Sequence, residues 1–477
     1  MKPVQTFFAV LFITILGITL FLPTGTCEAS SITVAVLPFE NLNRDSTYQV
    51  LSRGMCESLI DGLSSVQSLT LVERAQVEKA LKEQALGLTG AVDEKTAPKT
   101  GQLLGAKYVV MGSYQVIGNQ MKITARFVNV ETGEIDQSKI VSVTGRCPDG
   151  VFDLQSQIAS KLVASFNVAA TKVETDRMTD VLKSPGNFTA YEFFMKGRNA
   201  LLLGTEAGYQ EAVAYSRKAI ELKPDYDAAY NNLGNALDHQ MKGGEAVEAY
   251  RKAIELKPNP YSYDNLGVAL KNQGKNEEAM AAHRKAIELD PTNASAHYNL
   301  GIMLKSQVKN EEAMASYRKA IQSKPDFSEA YNNLGQILKD EKKYEEAIAA
   351  YRKAIALKPN DPNPHFNLGI VLFLQGNAEE SVAALRKAVE LKPDWTVAYT
   401  NLGIALEKQG KNEEAIMAYR KAIELKLEKP FALENLAILL DAKGARKEAR
   451  EYWERAEKLE KRPEWVERIK KRLAEKD

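Results

Sequence analysis

Hydrophobic and polar positions follow two different periods along this chain of 477 residues. Up to about residue 168, short apolar runs and alternating stretches predict strands, with segments of helical spacing between them. Residues 32–39, ITVAVLPF, are almost continuously apolar, which is typical of a buried central strand. From residue 190 onwards only the helical period remains. The pattern predicts an α+β domain followed by an all-α region.

The α+β domain, residues 31–168, is predicted to hold a mixed sheet covered by helices on one side. Two long strands meet at Gly118 and Asn119, a pair typical of a tight hairpin turn. A further strand is expected over residues 134–143, and a closing helix over residues 149–166. The polar stretch after it predicts a linker, residues 169–188.

The all-α region repeats itself every 34 residues, apart from one interval of 33. Each full unit has a glycine or alanine directly after the Asn-Leu pair of its first helix, and glycine costs ~1 kcal/mol in a helix relative to alanine. This small residue predicts close approach of the second helix. Large side chains of the second helices, such as Tyr250 and Tyr317, are expected to fill the gap between successive units. The predicted units are 190–226 (irregular), 227–259, 260–293, 294–327, 328–361, 362–395, 396–429 and 430–462, followed by a capping helix, 463–477.

The first 29 residues predict a secretory signal peptide, with Lys2, an apolar run over residues 7–22 and small residues up to Ala29. Cys27 offers a second route, lipidation, although Thr24 stands where that signal normally has leucine. A retained membrane anchor is the third route. Each route exports the rest of the chain to the periplasm, where attachment to the outer membrane is one outcome.

Composition narrows the classes of function. The formal net charge of +1 gives no overall field for nucleic acid or anionic lipid. Four histidines and three cysteines are too few and too scattered for a metal site, and no nucleophile elbow or Walker loop occurs. We therefore expect no enzymatic activity and no cofactor. Export permits a disulfide between Cys56 and Cys147, and buried thiols are the alternative.

Several motifs of the first domain resemble the CsgG-type, curli-secretion-related family and its TolB-N-like periplasmic relatives. They include VAVLPF (residues 34–39), VER (72–74), LLGA (103–106), Gly112 and the pair 132–133. The resemblance implies a domain that docks to an envelope or secretion assembly at the bacterial outer membrane. Known members form ring-shaped pores, so a ring-forming export accessory is the alternative. The domain leaves no room for two membrane-spanning hairpins, which favours a soluble envelope domain.

The 34-residue units resemble the tetratricopeptide repeat. This resemblance implies a right-handed superhelical solenoid whose first helices line a concave groove, where a protein or peptide partner binds. One asparagine recurs in every first helix, directly before its buried leucine. A side-chain amide offers a donor and an acceptor, so a row of amides is predicted to pair with an extended peptide backbone. The row consists of Asn232, Asn265, Asn299, Asn333, Asn367, Asn401 and Asn435.

The alternative is that these asparagines only satisfy polar groups between units. Further along the same helices, Ile302, Ile370 and Ile404 predict an apolar stripe in the groove. Lys271, Lys305 and Lys339 are expected either to favour acidic partners or to be ordinary solvated lysines.

Overall fold

The computed structural model describes residues 31–43, 48–83, 96–135, 139–148, 150–166, 168, 170–182, 187–425 and 430–474. The chain divides into two compact units, Met1–Met195 (unit 1) and Lys196–Asp477 (unit 2). The predicted signal peptide and Cys27 lie outside the described residues. Within the described parts of the chain, no helix is long and apolar enough to cross a membrane.

Unit 1 is built on a mixed sheet of six strands among the described residues, ordered β3-β1-β4-β5-β6 with β2 beside β4. Strand β1 pairs in parallel with β3 and β4, whereas β4, β5 and β6 are antiparallel. The strands are β1 (Ile32–Val36), β2 (Glu40–Asn41), β3 (Leu69–Leu71), β4 (Tyr108–Ile117), β5 (Gln120–Asn129) and β6 (Val141–Arg146).

The hairpin between β4 and β5 is confirmed, because Ile117 pairs with Gln120 and Gly118 adopts φ +59°. The prediction of a strand over residues 134–143 is wrong. Strand β6 begins only at Val141, and Ile135 forms an isolated antiparallel bridge with Val128. Residues 136–138 lie outside the described part of the chain.

Helices cover both faces of the sheet, so the prediction of one covered side is also wrong. Helices α1, α4 and α5 pack together on one face, and α2 and α3 lie on the other. Alternate residues of β1 therefore meet different helices, which explains its continuous apolar run. Ala35 and Leu37, for example, belong to the core under α2 and α3. The helices are α1 (Val50–Leu63), α2 (Arg74–Glu83), α3 (Ala97–Leu103), α4 (Val151–Ser165) and α5 (Lys172–Leu182).

The predicted linker is a folded part of unit 1. Its residues form helix α5, which buries Met178 and Leu182 against the rest of the unit. Gly62 of α1 leaves the space that Leu182 fills, since an added Cβ would lie 2.9 Å from the leucine. The Glu174 carboxylate accepts hydrogen bonds from the backbone N–H of Gln67 (2.9 Å) and Thr171 (2.6 Å). These two bonds lower the pKa of Glu174, and the bond from Gln67 has the larger effect.

Unit 2 is a succession of helix pairs. Helix α6 (Phe188–Leu201) crosses from unit 1 into unit 2, where its Gly197 lies against Ser216 of α7 (Glu206–Leu222). The first helices of the following pairs are α8 (Asp227–His239), α10 (Pro260–Asn272), α12 (Ala294–Ser306), α14 (Ser328–Asp340), α16 (Pro362–Gln375), α18 (Thr396–Lys408) and α20 (Pro430–Ala442). The second helices are α9 (Gly243–Leu256), α11 (Asn276–Leu289), α13 (Asn310–Ser323), α15 (Tyr344–Leu357), α17 (Ala378–Leu391), α19 (Asn412–Glu424) and α21 (Arg446–Leu459), and α22 (Pro463–Ala474) follows.

The mid-helix glycines allow the two helices of one unit to approach. A Cβ on Gly335 would lie 2.7 Å from the ring of Tyr351, and one on Gly301 would lie 2.7 Å from Tyr317. The aromatic side chain thus fills the space above the glycine of its own unit. The sequence pattern placed this side chain in the gap between successive units, whereas in the structure it packs on the first helix of its own unit.

The turn between the two helices of a unit contains a residue with positive φ. Gly274, Gly376 and Gly410 end their first helices with positive φ, as glycine allows. Met241, Val308 and Lys342 take the same left-handed conformation at φ near +60°. This conformation is costly for a β-branched residue such as valine.

Candidate partner-binding surface

The first helices of unit 2 form its inner face. Helices α8 and α10, α10 and α12, α14 and α16, and α16 and α18 contact each other across successive units. The second helices are bridged by long side chains, as in the ion pairs Arg251–Glu278 (3.0 Å) and Arg352–Glu380 (2.7 Å). Because neighbouring elements are closer on the inner side of a curved array, the first helices lie on that side. We call their solvent-accessible residues the inner face.

The predicted isoleucines and lysines lie on these first helices with part of their surface in solvent. Ile302, Ile370 and Ile404 are half-buried, although each belongs to a well-packed helix. Lys271 is exposed, and Lys305 and Lys339 are half-buried.

The asparagines do not form a row of unengaged amides. The Nδ2 group of Asn299 donates to Asp264 Oδ1 of the preceding unit at 3.1 Å, and that of Asn333 donates to the Tyr298 hydroxyl at 3.2 Å. Asn367 donates in the same way to Asn332 Oδ1 at 2.9 Å. We call this chain of bonds between successive first helices the amide relay.

Asn265 begins the relay by donating to Asn235 Oδ1 at 3.0 Å and Asn231 Oδ1 at 3.4 Å. In each of these four asparagines, at least one of the two Nδ2 hydrogens is used within the repeat array. Their donors serve the contact between units, which was the alternative explanation. Asn232 is buried and Asn435 is half-buried.

The relay stops at Asn401. The residue that would accept its bond in the preceding unit is Phe366, whose side chain has no acceptor. Asn401 Nδ2 instead donates to the carbonyl of Val397 in its own helix at 2.8 Å. The ring of Phe366 packs on Trp395 with centroids 4.5 Å apart. An apolar contact therefore replaces the polar one at this junction.

The relay also includes a buried residue that the sequence analysis did not single out. His283 is fully buried where four other second helices have tyrosine, and its Nδ1 donates to Asp264 Oδ1 at 2.7 Å. Asp264 therefore accepts from both His283 and Asn299. The signal in the sequence was the replacement of the usual tyrosine by histidine in the unit that also carries Asp264.

Two tyrosines at the equivalent site donate their hydroxyl groups to polar side chains of the first helices. Tyr250 donates to Asn235 Oδ1 at 2.7 Å, and Tyr419 donates to Glu407 Oε2 at 3.1 Å. Burial raises the pKa of both hydroxyl groups, so they remain protonated donors at neutral pH.

The three predicted lysines differ in their surroundings. Lys305 Nζ donates to the neutral amide of Gln336 at 2.6 Å. Burial lowers the pKa of Lys305, and the nearby charge of Lys339 lowers it further. The charge of Asp340 has the opposite effect. Lys339 forms an ion pair with Asp340 at 3.1 Å. The positive charge of Lys339 is thus locally offset, whereas Lys305 is hydrogen-bonded to a neutral group.

Two cysteines and a cavity are candidate chemical features among the described residues of unit 1. Cys56 and Cys147 are buried thiols and are not joined in the disulfide that export permits, and the Cys56 Sγ–H donates to the Val36 carbonyl at 3.2 Å. A cavity of about 420 Å³ lies beside Tyr108, Phe127 and Phe166. In the described parts of the chain, no group of three or more His, Cys, Asp or Glu residues is placed to hold a metal ion.

Family comparisons agree with this division of the chain. Tetratricopeptide-repeat family models match residues 228–260, 267–308, 303–341, 335–376, 361–428 and 400–463. The model described as curli production assembly/transport component CsgG matches residues 24–118.

One curated relative is the protein named putative adenylate cyclase 3 of Rhizobium meliloti (strain 1021). It is 24% identical over 200 residues, which are 42% of this chain and 32% of the relative. The chain thus matches about a third of the length of that relative.

Solved structures similar to this chain include that of pilF from Pseudomonas aeruginosa, with 23% identity and a TM-score of 0.41 over 44% of this chain and 96% of that one. YrrB, described as a TPR protein with an unusual peptide-binding site, has 26% identity and a TM-score of 0.36, covering 39% and 97%. The Cut9–Hcn1 hetero-tetramer of the APC/C has 17% identity and a TM-score of 0.42, covering 69% and 64%. The helix pairs agree with the family matches, which identify tetratricopeptide repeats within residues 228–463, after an N-terminal match to the CsgG family model at residues 24–118.

Proposed function

We propose that this protein is a non-enzymatic scaffold of the bacterial cell envelope that binds protein or peptide partners along the inner face of its repeats. The observation that carries this proposal is the set of partly exposed apolar and basic side chains on successive first helices, Ile302, Ile370 and Ile404 with Lys271 and Lys305. Tetratricopeptide repeats are typically protein-interaction scaffolds.

The energetics of the inner face support a binding role. Fully burying an isoleucine side chain stabilises a complex by ~1.5–3 kcal/mol, so the half-buried isoleucines retain part of that free energy for a partner. The amide relay fixes neighbouring first helices at four junctions, so a partner meets a preorganised surface. The engaged amides then contribute through this rigidity.

The proposal is tested by comparing two sets of substitutions in the full chain. Ile302, Ile370 and Ile404 are replaced together by serine. The matched control replaces three lysines of the second helices by serine, the exposed Lys319 and Lys353 and the half-buried Lys387. Quantitative mass spectrometry of affinity-purified material, with circular dichroism to check helix content, gives the readout. We expect co-purifying proteins to be lost only with the isoleucine variant. Equal recovery with both variants would contradict binding at the inner face.

The proposed role of unit 1 is to dock the protein to an envelope or secretion assembly. The CsgG family match supports this role, and the predicted signal peptide supports export. Mass spectrometry of the mature N-terminus tests export, since cleavage after Ala29 and lipid on Cys27 give different masses. Light scattering of the full chain tests the alternative of a ring. A monomer at high concentration would exclude self-assembly in solution.

A further inference from the structure

The inner face has two chemically different sections. From α8 to α16 the amide relay makes the contact between first helices polar, with Asp264, Tyr298 and Asn332 as successive acceptors. From α16 to α18 the relay is absent, because Phe366 takes the place of the acceptor and packs on Trp395. The boundary between the sections therefore lies in the unit 362–395.

The apolar section is continuous over two units. Phe366, Ile370 and Phe373 follow one another on α16, and Ile404 follows on α18; all four are half-buried. Leu385 replaces the usual tyrosine of the second helix at this place, where a Cβ on Gly369 would lie 2.5 Å from it. The hydroxyl donor that Tyr250 and Tyr419 supply to first-helix side chains is therefore missing from this unit.

The polar section carries a positive centre. Lys271 is exposed on α10, and Lys305 on α12 is bonded to the neutral Gln336. The charge of Lys339 is offset by Asp340. Further acidic residues on the first helices are Asp238 on α8 and Glu407 on α18, and Asp340 on α14 also interacts electrostatically with Lys305. A bound segment therefore meets its most favourable site for negative charge on α10 and α12.

We propose that the partner is an extended segment of another protein in which an acidic stretch lies close to aromatic or aliphatic side chains. The acidic stretch contacts Lys271 and Lys305, and the apolar side chains occupy the surface of Phe366, Ile370 and Ile404. The unit 328–361 separates the two contacts. This inference rests on the proposed function, because it specifies the partner of the same surface.

The test is selection of binders from a random peptide library displayed on phage, with the full chain as the target. Selected peptides are synthesised, and their affinity is measured by fluorescence anisotropy. We expect enrichment of peptides that combine Asp or Glu with Phe, Leu or Ile, and weaker binding at higher salt. Peptides that bind the inner face with no acidic–apolar pattern would overturn the inference and leave the proposed function intact. If no library peptide bound the inner face, both would fail.

Substitutions locate the two contacts on the chain. Lys271→Ala and Lys305→Ala are each expected to weaken a selected acidic–apolar peptide about fivefold, the size of one screened ion pair. Ile370→Ser is expected to weaken it at least tenfold.

The matched controls are Lys319→Ala on α13 and Met417→Ser on α19, two exposed residues of second helices. Neither should change the affinity by more than twofold. Equal losses in controls and inner-face variants would overturn the inference. Loss of self-association in Ile370→Ser, measured by light scattering, would also overturn the inference. That result would mean that a second copy of this chain occupies the surface.

Discussion

Replacement of Asp264 by alanine is the strongest test of the amide relay. The Asp264 side chain is 10% exposed and accepts hydrogen bonds from the fully buried His283 (2.7 Å) and from Asn299 (3.1 Å). Removing the acceptor leaves the buried donor of His283 unsatisfied, at a cost of ~1–3 kcal/mol. The half-buried Asn299 loses a bond worth ~0.5–1.5 kcal/mol. We therefore expect Asp264→Ala to lower the free energy of unfolding around α10–α12 by about 2–4 kcal/mol.

Hydrogen exchange of the backbone amides in α10, α11 and α12 is the appropriate assay, because repeat arrays unfold locally and need not be two-state. Asn332→Ala is the matched control, since Asn332 accepts a single bond, from Asn367. It is expected to cost about 1 kcal/mol. In a His283→Leu background, the cost of Asp264→Ala should fall by about 1 kcal/mol or more, because leucine, which occupies the equivalent site in α17, has no donor. An equal effect of Asp264→Ala and Asn332→Ala would refute Asp264 as the branching point of the relay.

Three further predictions follow from local geometry. Val308→Gly should raise the free energy of unfolding by about 0.5–1 kcal/mol in thermal denaturation, because the relief of left-handed strain exceeds the entropy cost of glycine. Gly335→Ala should lower it by about 1–3 kcal/mol, because the new methyl group meets the Tyr351 ring. The Glu174 pKa is lowered on folding, so its stabilisation is present above the unfolded pKa and is lost as pH falls through the folded pKa. Proteolysis of α5 should therefore increase at acid pH, and Glu174→Gln should lose that pH dependence.

Two substitutions serve as controls for the glycine predictions. Gly244→Ala places its methyl group where no neighbouring atom lies within 4 Å, and it should be neutral or stabilising. Gly274→Val introduces the strain that Val308 already has and should destabilise. A loss of stability in Val308→Gly would show that valine is favoured in that turn by contacts. For Glu174, equal acid sensitivity of the Gln variant would exclude the carboxylate as its source.

The helical period and the 34-residue repeat predicted the helices of unit 2, because each unit carries its own turn and packing residues. Helices α8, α10 and α12, for example, begin at Asp227, Pro260 and Ala294, where the predicted units begin. The orientation of the asparagines was not predictable in the same way. It depends on a residue about 35 positions earlier, such as Asp264 for Asn299, and on whether that residue has an acceptor. Phe366 shows how a single acceptor lost from one unit changes the role of an asparagine in the next.

Helix α5 was missed for a related reason. Its anchors Glu174, Met178 and Leu182 are four residues apart, but polar residues surround them and suggested a linker. The buried carboxylate of Glu174 is stabilised by backbone N–H groups from another segment, which no local pattern reveals. The sequence predicted helices on only one face of the sheet. The apolar run of β1 indicates that both faces are buried, but it does not indicate which helices cover them.

Site-specific photocrosslinking in cells that express the protein tests the central claim most directly. A photoreactive amino acid is placed at Ile370 on the inner face or at the exposed Lys353 of α15. The proposed function predicts a discrete crosslinked partner from position 370 and none from position 353. Crosslinks of equal yield from both positions, or from position 353 alone, would contradict binding along the first helices.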